Sequence, residues 1–523
     1  MERMRLLGLG ALITAELALV TLSADGANLP QGAGGLIGLL DDWGAWIARW
    51  IVASGALFGA IAYFRPGTIA VTGDWTPPSG PWLAIHVACA TAFWLLSRSL
   101  YSQAASTGLL MAWISTGAGT VATAAAALIP RTAIGPLLRG AAPAMLASAL
   151  AGAAACWLGA FSQRLWRPAA GATFVIVKGL LGVLVGDVVV EPWRNRVGTQ
   201  RFGVLIAEEC SGLEGIALFL AFAVCWLVLF RDELRIGRAL AALPLGVVAV
   251  YLANSVRITL LVLIGHAGYR QVAVQGFHSQ AGWIGFSLIA FGVLAAARRW
   301  SWLSKLPPAS AAEYHNPAAP YLVPFLAVIA AGMISGALSG GFEWFYGLRV
   351  VAGGVALWMF RYQYKNIDWS WSWLAPAAGA AVYAIWVAPD WLAGRGEEKM
   401  PGGLAQAPEW PRWGWIALRA IGGTVVIPLV EELAFRGYLY RRFVRGEFDN
   451  VPWTFFRWTA LAGSSVLFGL MHGDRWIAAS IAGAAYAGLV VWRGRLGDGV
   501  AAHAATNFLL ALTAVLGQQW YWW

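Results

Sequence analysis

The chain has 523 residues, of which 59% are hydrophobic and only 12% charged, with 31 tryptophans. Apolar runs of roughly 18 to 25 residues recur from end to end, each long enough to cross a bilayer of about 30 Å, which excludes a water-soluble globular protein. The net charge of +10 is mostly arginine in the loops between these runs, so it reads as topology information and not as a nucleic-acid footprint.

These features predict an all-α, polytopic transmembrane protein. Residues 1–22 have the basic start and apolar core of a signal peptide, but with so many spans behind them an uncleaved first helix is the better reading. Further spans are expected near 45–64, 82–98, 107–129, 141–161, 172–190, 212–230, 239–264 and 281–297. The clear internal break is RRWSWLSKLPPASAAEYHNPAAP (298–320), which is basic and then Pro/Ala-rich, as a linker between two bundles would be. The expected domains are therefore 1–305 and 306–523. After the break, spans are expected near 321–340, 346–360, 374–390, 413–437, 457–472, 476–492 and 498–517, with a polar loop at 394–413.

Basic loops orient the helices. RDELRIGR (231–238) and RRWSWLSK (298–305) belong in the cytoplasm, as do RYQYK, RRFVR and WRGR of the second bundle. A simple count conflicts with this in the first bundle. Either 172–190, with Lys178 and Asp187, is not a full span, or another crosses near 31–43.

Of four cysteines, Cys89, Cys156 and Cys225 lie inside apolar runs and read as small packing residues. Cys210 differs: in IAEECSGLEG it stands at the polar mouth of an apolar helix, behind Glu208 and Glu209. Neighbouring carboxylates oppose a thiolate, so a reactive Cys210 needs compensation from the helix N-terminus and a nearby cation. With 231–238 inside, Cys210 is on the outer face. The next helix carries Arg257 about 27 Å from its cytoplasmic start, and His278 follows in the outer loop. Cys210, Arg257 and His278 are thus expected at one level on one face. His278 would exchange the proton, Arg257 would hold the thiolate or oxyanion, and Glu208 and Glu209 would orient them or contact substrate.

The blocks EECSGLEG, NSVRI and FHSQAGW resemble the exosortase and archaeosortase family of membrane transpeptidases. The resemblance implies Cys210, Arg257 and His278 as the catalytic set. It also implies exported proteins as substrates, cut at a C-terminal sorting signal that carries a transmembrane helix, with transfer to an acceptor it does not identify.

The second bundle holds a second constellation. In GGTVVIPLVEELAFRGYLYRRF, Glu432 and Arg436 are spaced for a helical ion pair. Glu431, about 100° round the helix, lacks that partner and is expected to face a polar cavity, while Pro428 loosens the turn above it. His472 ends one helix, and His503 and Asn507 share a face of another. Such a set suits water activation with oxyanion stabilisation. Glu431, His472 and His503 are also the ligands expected of any divalent metal, although no HExxH spacing is present. The pattern EExxxR, FxxxH, HxxxN resembles the CAAX-protease and bacteriocin-processing family. That resemblance implies that Glu431 and His472 activate water and that His503 and Asn507 hold the oxyanion; Glu432 and Arg436 are read as supporting this site, and Glu209 as supporting the first. Both families on one chain resemble the bacterial branch in which an exosortase is fused to a CAAX-type protease. Its sorting signals carry a VPEID-like motif, and it sits in the cytoplasmic (inner) membrane. The competing readings are a transporter or channel with a polar solute path, or a fusion with one catalytic half.

Overall fold

The computed structural model describes residues 80–102, 106–129, 131–305, 316–392, 394 and 399–522, with isolated positions between 16 and 61. The span expected at 6–22, much of that at 45–64, the alternative near 31–43, and parts of the loops at 298–320 and 394–413 lie outside the described residues. The protein is an all-α polytopic membrane protein: among the described residues, nine helices are long and apolar enough to cross a bilayer. It folds as two units, residues 1–165 and 166–523, and the second holds helices from both sides of the division expected at residue 305.

In the first unit, α1 (Gly80–Ser102) lies against α2 (Thr107–Leu128). Lipid offers polar side chains no partners, so they find them internally. Trp113 Nε1–H donates to Ser97 Oγ at 2.8 Å, and buried His86 bonds the Thr120 carbonyl at 3.0 Å and the Glu16 carboxylate at 2.7 Å. The spans expected at 141–161 and 172–190 lie on one helical run, α3 (Arg131–Leu184), within which the two units divide.

The second expected span was drawn too far. Past Leu184 the valine-rich VVVE is no membrane segment but the first strand of a small antiparallel sheet. β1 (Val189–Glu191), β2 (Arg196–Gly198) and β3 (Gly203–Leu205) pair in chain order, with Val190 opposite Val197 and Val197 opposite Val204. Asn195, in the left-handed region at φ 49°, makes the first turn. Val197 and the following Ile206 are buried in a cluster with Phe174, Val177 and Leu181 of α3 and Ile258 and Val262 beyond, which anchors the segment leading to Cys210.

Next come α4 (Leu213–Leu229), α5 (Ile236–His266) and α6 (His278–Arg299). The two basic segments expected on one side of the membrane touch: Arg235 N–H donates to the Leu303 carbonyl at 2.9 Å, and Lys305 N–H to Glu233 at 2.8 Å. Helices stand at all seven positions expected after the break, as α7 (Ala319–Ala337), α8 (Gly347–Met359), α9 (Leu374–Leu392), α10 (Glu409–Val444), α11 (Trp458–Leu470), α12 (Trp476–Arg493) and α13 (Leu496–Val515), and of these α7, α10 and α12 are long and apolar enough to cross a bilayer. Their core includes Phe325, Val430, Phe435, Phe468 and Tyr486.

The turn before α6 packs on the end of α7. A Cβ on Gly276 would stand 2.1 Å from the Ser339 carbonyl oxygen and 2.5 Å from that of Gly336, so only glycine fits there. At the other end of α7, Tyr364 hydrogen-bonds the Pro320 carbonyl and Tyr321 meets the Phe448 ring. Basic residues collect at this second end, in the loops around 361–365, 441–445 and 493–495.

The same end is clasped by Asp498, fully buried in the first turn of α13. Its carboxylate accepts from Ser372 N–H at 2.7 Å, Ser372 Oγ–H at 2.9 Å and Arg495 Nε at 2.9 Å. Asp498→Ala leaves Arg495 and Ser372 without their acceptor and is expected to cost about 3 kcal/mol. Thermal unfolding in detergent measures this, and Asp498→Asn, which keeps the acceptor for Ser372, should fall between it and the parent.

Candidate active sites

Cys210 stands on a short 3₁₀ turn, Glu208–Ser211, just ahead of α4. Gly212 closes the turn at φ +90°, a conformation open to glycine and strained for other residues. The turn is tied to α5 and α3. Asn254 Nδ2 donates to the Cys210 carbonyl at 2.9 Å, Thr173 Oγ1 to the Ser211 carbonyl at 3.1 Å, and Tyr251 OH to the Ala169 carbonyl at 2.8 Å.

Cys210, Arg257 and His278 come from the turn, from α5 and from the start of α6, and all three line one cavity of about 310 Å³. Arg257 Nη1 donates to the His278 carbonyl at 3.2 Å, which joins α5 to α6, while its buried Nε has no partner. Asn254, Glu214 and Trp283 line the same cavity and were not singled out from sequence. All three lie inside the blocks that carry the resemblance, so the signal was present. The side chains of Glu208 and Glu209 lie outside the described residues. The four cysteines are free, and Cys225, expected as a packing residue, is exposed on α4.

The second site is built on α10, whose course is interrupted by wide π turns at Gly422–Val426 and Leu433–Tyr440. In the first, Ile427 N–H reaches back five residues to the Gly422 carbonyl. The next bond of that pattern would run from residue 428 to Gly423, but residue 428 is proline and has no N–H. Asn507 Nδ2 takes that place, donating to the Gly423 carbonyl at 2.8 Å. Pro428 thus reshapes the turn above the glutamates as expected, and one Asn507 amide hydrogen is spent on the repair.

Glu432 and Arg436 form the expected pair at 2.8 Å, fully buried. Arg436 also donates to the Gly483 carbonyl at 3.0 Å and lies over the Phe468 ring at 4.5 Å. The sequence did not reveal that His503 joins this pair: its Nδ1 bonds Glu432 Oε1 at 3.0 Å and its Nε2 faces Glu431 Oε2 at 3.8 Å. Glu432 is held by Arg436 as a carboxylate, which can only accept, so the His503 proton sits on Nδ1. His472 Nδ1–H likewise donates to the Phe468 carbonyl at 2.8 Å, leaving Nε2 as the basic nitrogen. Tyr486 stacks on His503 at 4.9 Å, and its hydroxyl bonds Thr506 at 2.7 Å; sequence reading missed both, with no motif to mark a tyrosine among small residues.

Glu431, His472, His503 and Asn507 line one cavity of about 430 Å³. The Oε2 atom of Glu431 is buried with no hydrogen-bond partner, His503 Nε2 standing off at 3.8 Å. Among the described residues no three His, Cys, Asp or Glu side chains converge as a metal site. As they stand, Glu431, His472 and His503 do not form a ligand set.

Residues 55–295 match the family model of the transmembrane exosortases, and residues 413–509 match that of the type II CAAX prenyl endopeptidase Rce1-like proteins. Cys210, Arg257 and His278 fall in the first segment, and Glu431, His472, His503 and Asn507 in the second. Both families are of protease or transpeptidase type. The two matches fall on one multi-pass membrane protein, in the order and pairing that its motifs resemble. No curated protein and no solved structure matches it.

The turn under Cys210 leaves little room for change, since a Cβ on Gly212 would also press to 3.0 Å from Asn254 Nδ2. Gly212→Ala is expected to lose about 1–2 kcal/mol of stability through the strained φ. Denaturant unfolding reads that loss. Slower reaction of Cys210 with a small maleimide, after Cys89, Cys156 and Cys225 are replaced by serine, would report the displaced turn.

Proposed function

We propose that the protein is a bifunctional membrane protease and transpeptidase, with a cysteine site in the 1–305 segment and a glutamate site in the 306–523 segment. The observation that carries the first half is the convergence of Cys210, Arg257 and His278, from three separate segments, on one cavity. In this reading the Cys210 thiolate attacks the scissile carbonyl carbon, and Arg257 holds the oxyanion. The C–N bond breaks as protonated His278 gives its proton to the leaving amine, and a thioester remains. An acceptor amine or water then loses a proton to His278 and attacks, breaking the C–S bond and restoring the thiolate. The substrates are exported proteins whose C-terminal sorting signal, VPEID-like in this branch, ends in a transmembrane helix. With the basic loops inside, the cavity opens on the outer face of the bacterial cytoplasmic membrane.

At the second site Glu431, assisted by His472 Nε2, takes a proton from water as its oxygen attacks a peptide carbonyl. The remaining Asn507 amide hydrogen holds the oxyanion, joined by His503 when its Nε2 is protonated, and the abstracted proton passes to the leaving amine. The buried Glu431 oxygen, which makes no hydrogen bond within the protein, supports this role.

The test is mass spectrometry of the mature C-termini of membrane-anchored surface proteins from cells carrying each variant. Cys210→Ala should leave the sorting signal uncut at unchanged protein abundance. Glu431→Gln should permit that cut and block a different one. Normal signal processing by Cys210→Ala removes the thiol from the mechanism, and identical peptide sets with and without Glu431 remove the second site.

A further inference from the structure

One hydrogen bond cannot set the plane of a ring, and among the described residues His503 makes only one. Its Nδ1 bonds Glu432 Oε1 at 3.0 Å, while Nε2 stands 3.8 Å from Glu431 Oε2, too far for a second. The torsion that turns a histidine ring is broad, so the side chain does not choose the plane by itself. The direction in which Nε2 points depends on that choice.

Two aromatic neighbours make it. Tyr486 of α12 lies face to face with the imidazole, centroids 4.9 Å and planes 17° apart, and Phe468 of α11 meets it edge-on at 5.7 Å and 82°. Both rings are buried. Phe468 also lies 4.7 Å from the His472 ring and belongs to the FxxxH block. Tyr486 stands outside all three motif blocks. In IAGAAYAGLV it is the one aromatic among Ala and Gly, small residues that let neighbouring helices approach its ring closely. Its hydroxyl donates to Thr506 Oγ1 at 2.7 Å, and Thr506 donates in turn to the Gly379 carbonyl at 2.9 Å. A Cβ on Gly379 would stand 2.2 Å from the Ala502 carbonyl oxygen, so α9 and α13 meet there through their backbones. The far end of Tyr486 is thereby pinned to two helices besides its own. A ring that only filled space would need no such anchor.

We propose that Tyr486 is a positioning residue of the second site, whose face holds the His503 ring in the plane that aims Nε2 into the cavity beside Glu431. Pivoted about its bond to Glu432, the imidazole would keep that bond while Nε2 left the place where the oxyanion forms. The role of the ring in turnover rests on the reading of Glu431 as a peptidase site; the holding of the ring does not.

The experiment uses the full chain in lipid bilayers, with the histidine rings labelled by 15N and 13C. The chain has six histidines, and the signals missing from His503→Gln are those of His503. Magic-angle-spinning NMR of the parent should show one His503 species with Nδ1 protonated and ring C–H dipolar couplings near the rigid limit. Tyr486→Phe keeps the face and should keep both features. Tyr486→Leu keeps apolar bulk without the face, and should weaken the couplings or split the signals. Tyr486→Met makes the same change and serves where the leucine chain does not fold. The Glu431-dependent fragment, followed by mass spectrometry, should appear within about threefold of the parent rate for Tyr486→Phe and about tenfold or more slowly for Tyr486→Leu. A packing role alone would lower the unfolding temperature and leave the His503 signals where they were. A mobile His503 ring in the parent, a ring unchanged by loss of the face, or equal losses in the phenylalanine and leucine variants overturns the proposal. The first of these needs no variant. If the ring loosens as expected while the parent yields no Glu431-dependent fragment, the peptidase reading fails and the positioning of His503 stands.

Discussion

Glu432 is fully buried, and its carboxylate is held by two groups, one local in sequence and one distant. Arg436 comes from the next turn of the same helix, and His503 from a helix seventy-one residues later in sequence. A buried carboxylate stripped of either partner is costly, so α10 and α13 are locked in register wherever the bundle is folded. The lock explains the placement of Glu431 and Asn507. They are neighbours of the residues that make it, Glu431 by one position and Asn507 by one helical turn, and so they face the cavity between the same two helices.

A different constraint governs the thiol site. No ion pair among the described residues holds Cys210; backbone geometry does. The left-handed Gly212 and the Asn254 side chain turn the chain sharply at the mouth of α4, and the small sheet ahead of it packs on α3 and α5. Arg257 ties α5 to the start of α6 through the His278 carbonyl. The first site is therefore assembled from loops clamped by helices, and the second from side chains inside a bundle.

How much of this the sequence announced follows from the range of each interaction. The spans were legible because apolar length is a local property, and so was the Glu432–Arg436 pair at i, i+4. The meeting of Cys210, Arg257 and His278 in one cavity could be anticipated because helix length and basic loops fix height in the membrane. The strands at 189–205 were hidden because three short valine-bearing segments look like the tail of a span. The bond from His503 to Glu432 and the repair of Gly423 by Asn507 were hidden for another reason. Both depend on how α10 and α13 are rotated against each other, which no local pattern states. The π turn gave no warning beyond Pro428 itself.

The close approach at Gly276 couples the two candidate sites through one helix. That turn rests directly on the end of α7, whose Gly332 lies against the Arg349 side chain of α8 and whose Phe325, Val328 and Ile329 wall the second cavity, so a shift of the segment that carries His278 bears on a wall of the other site.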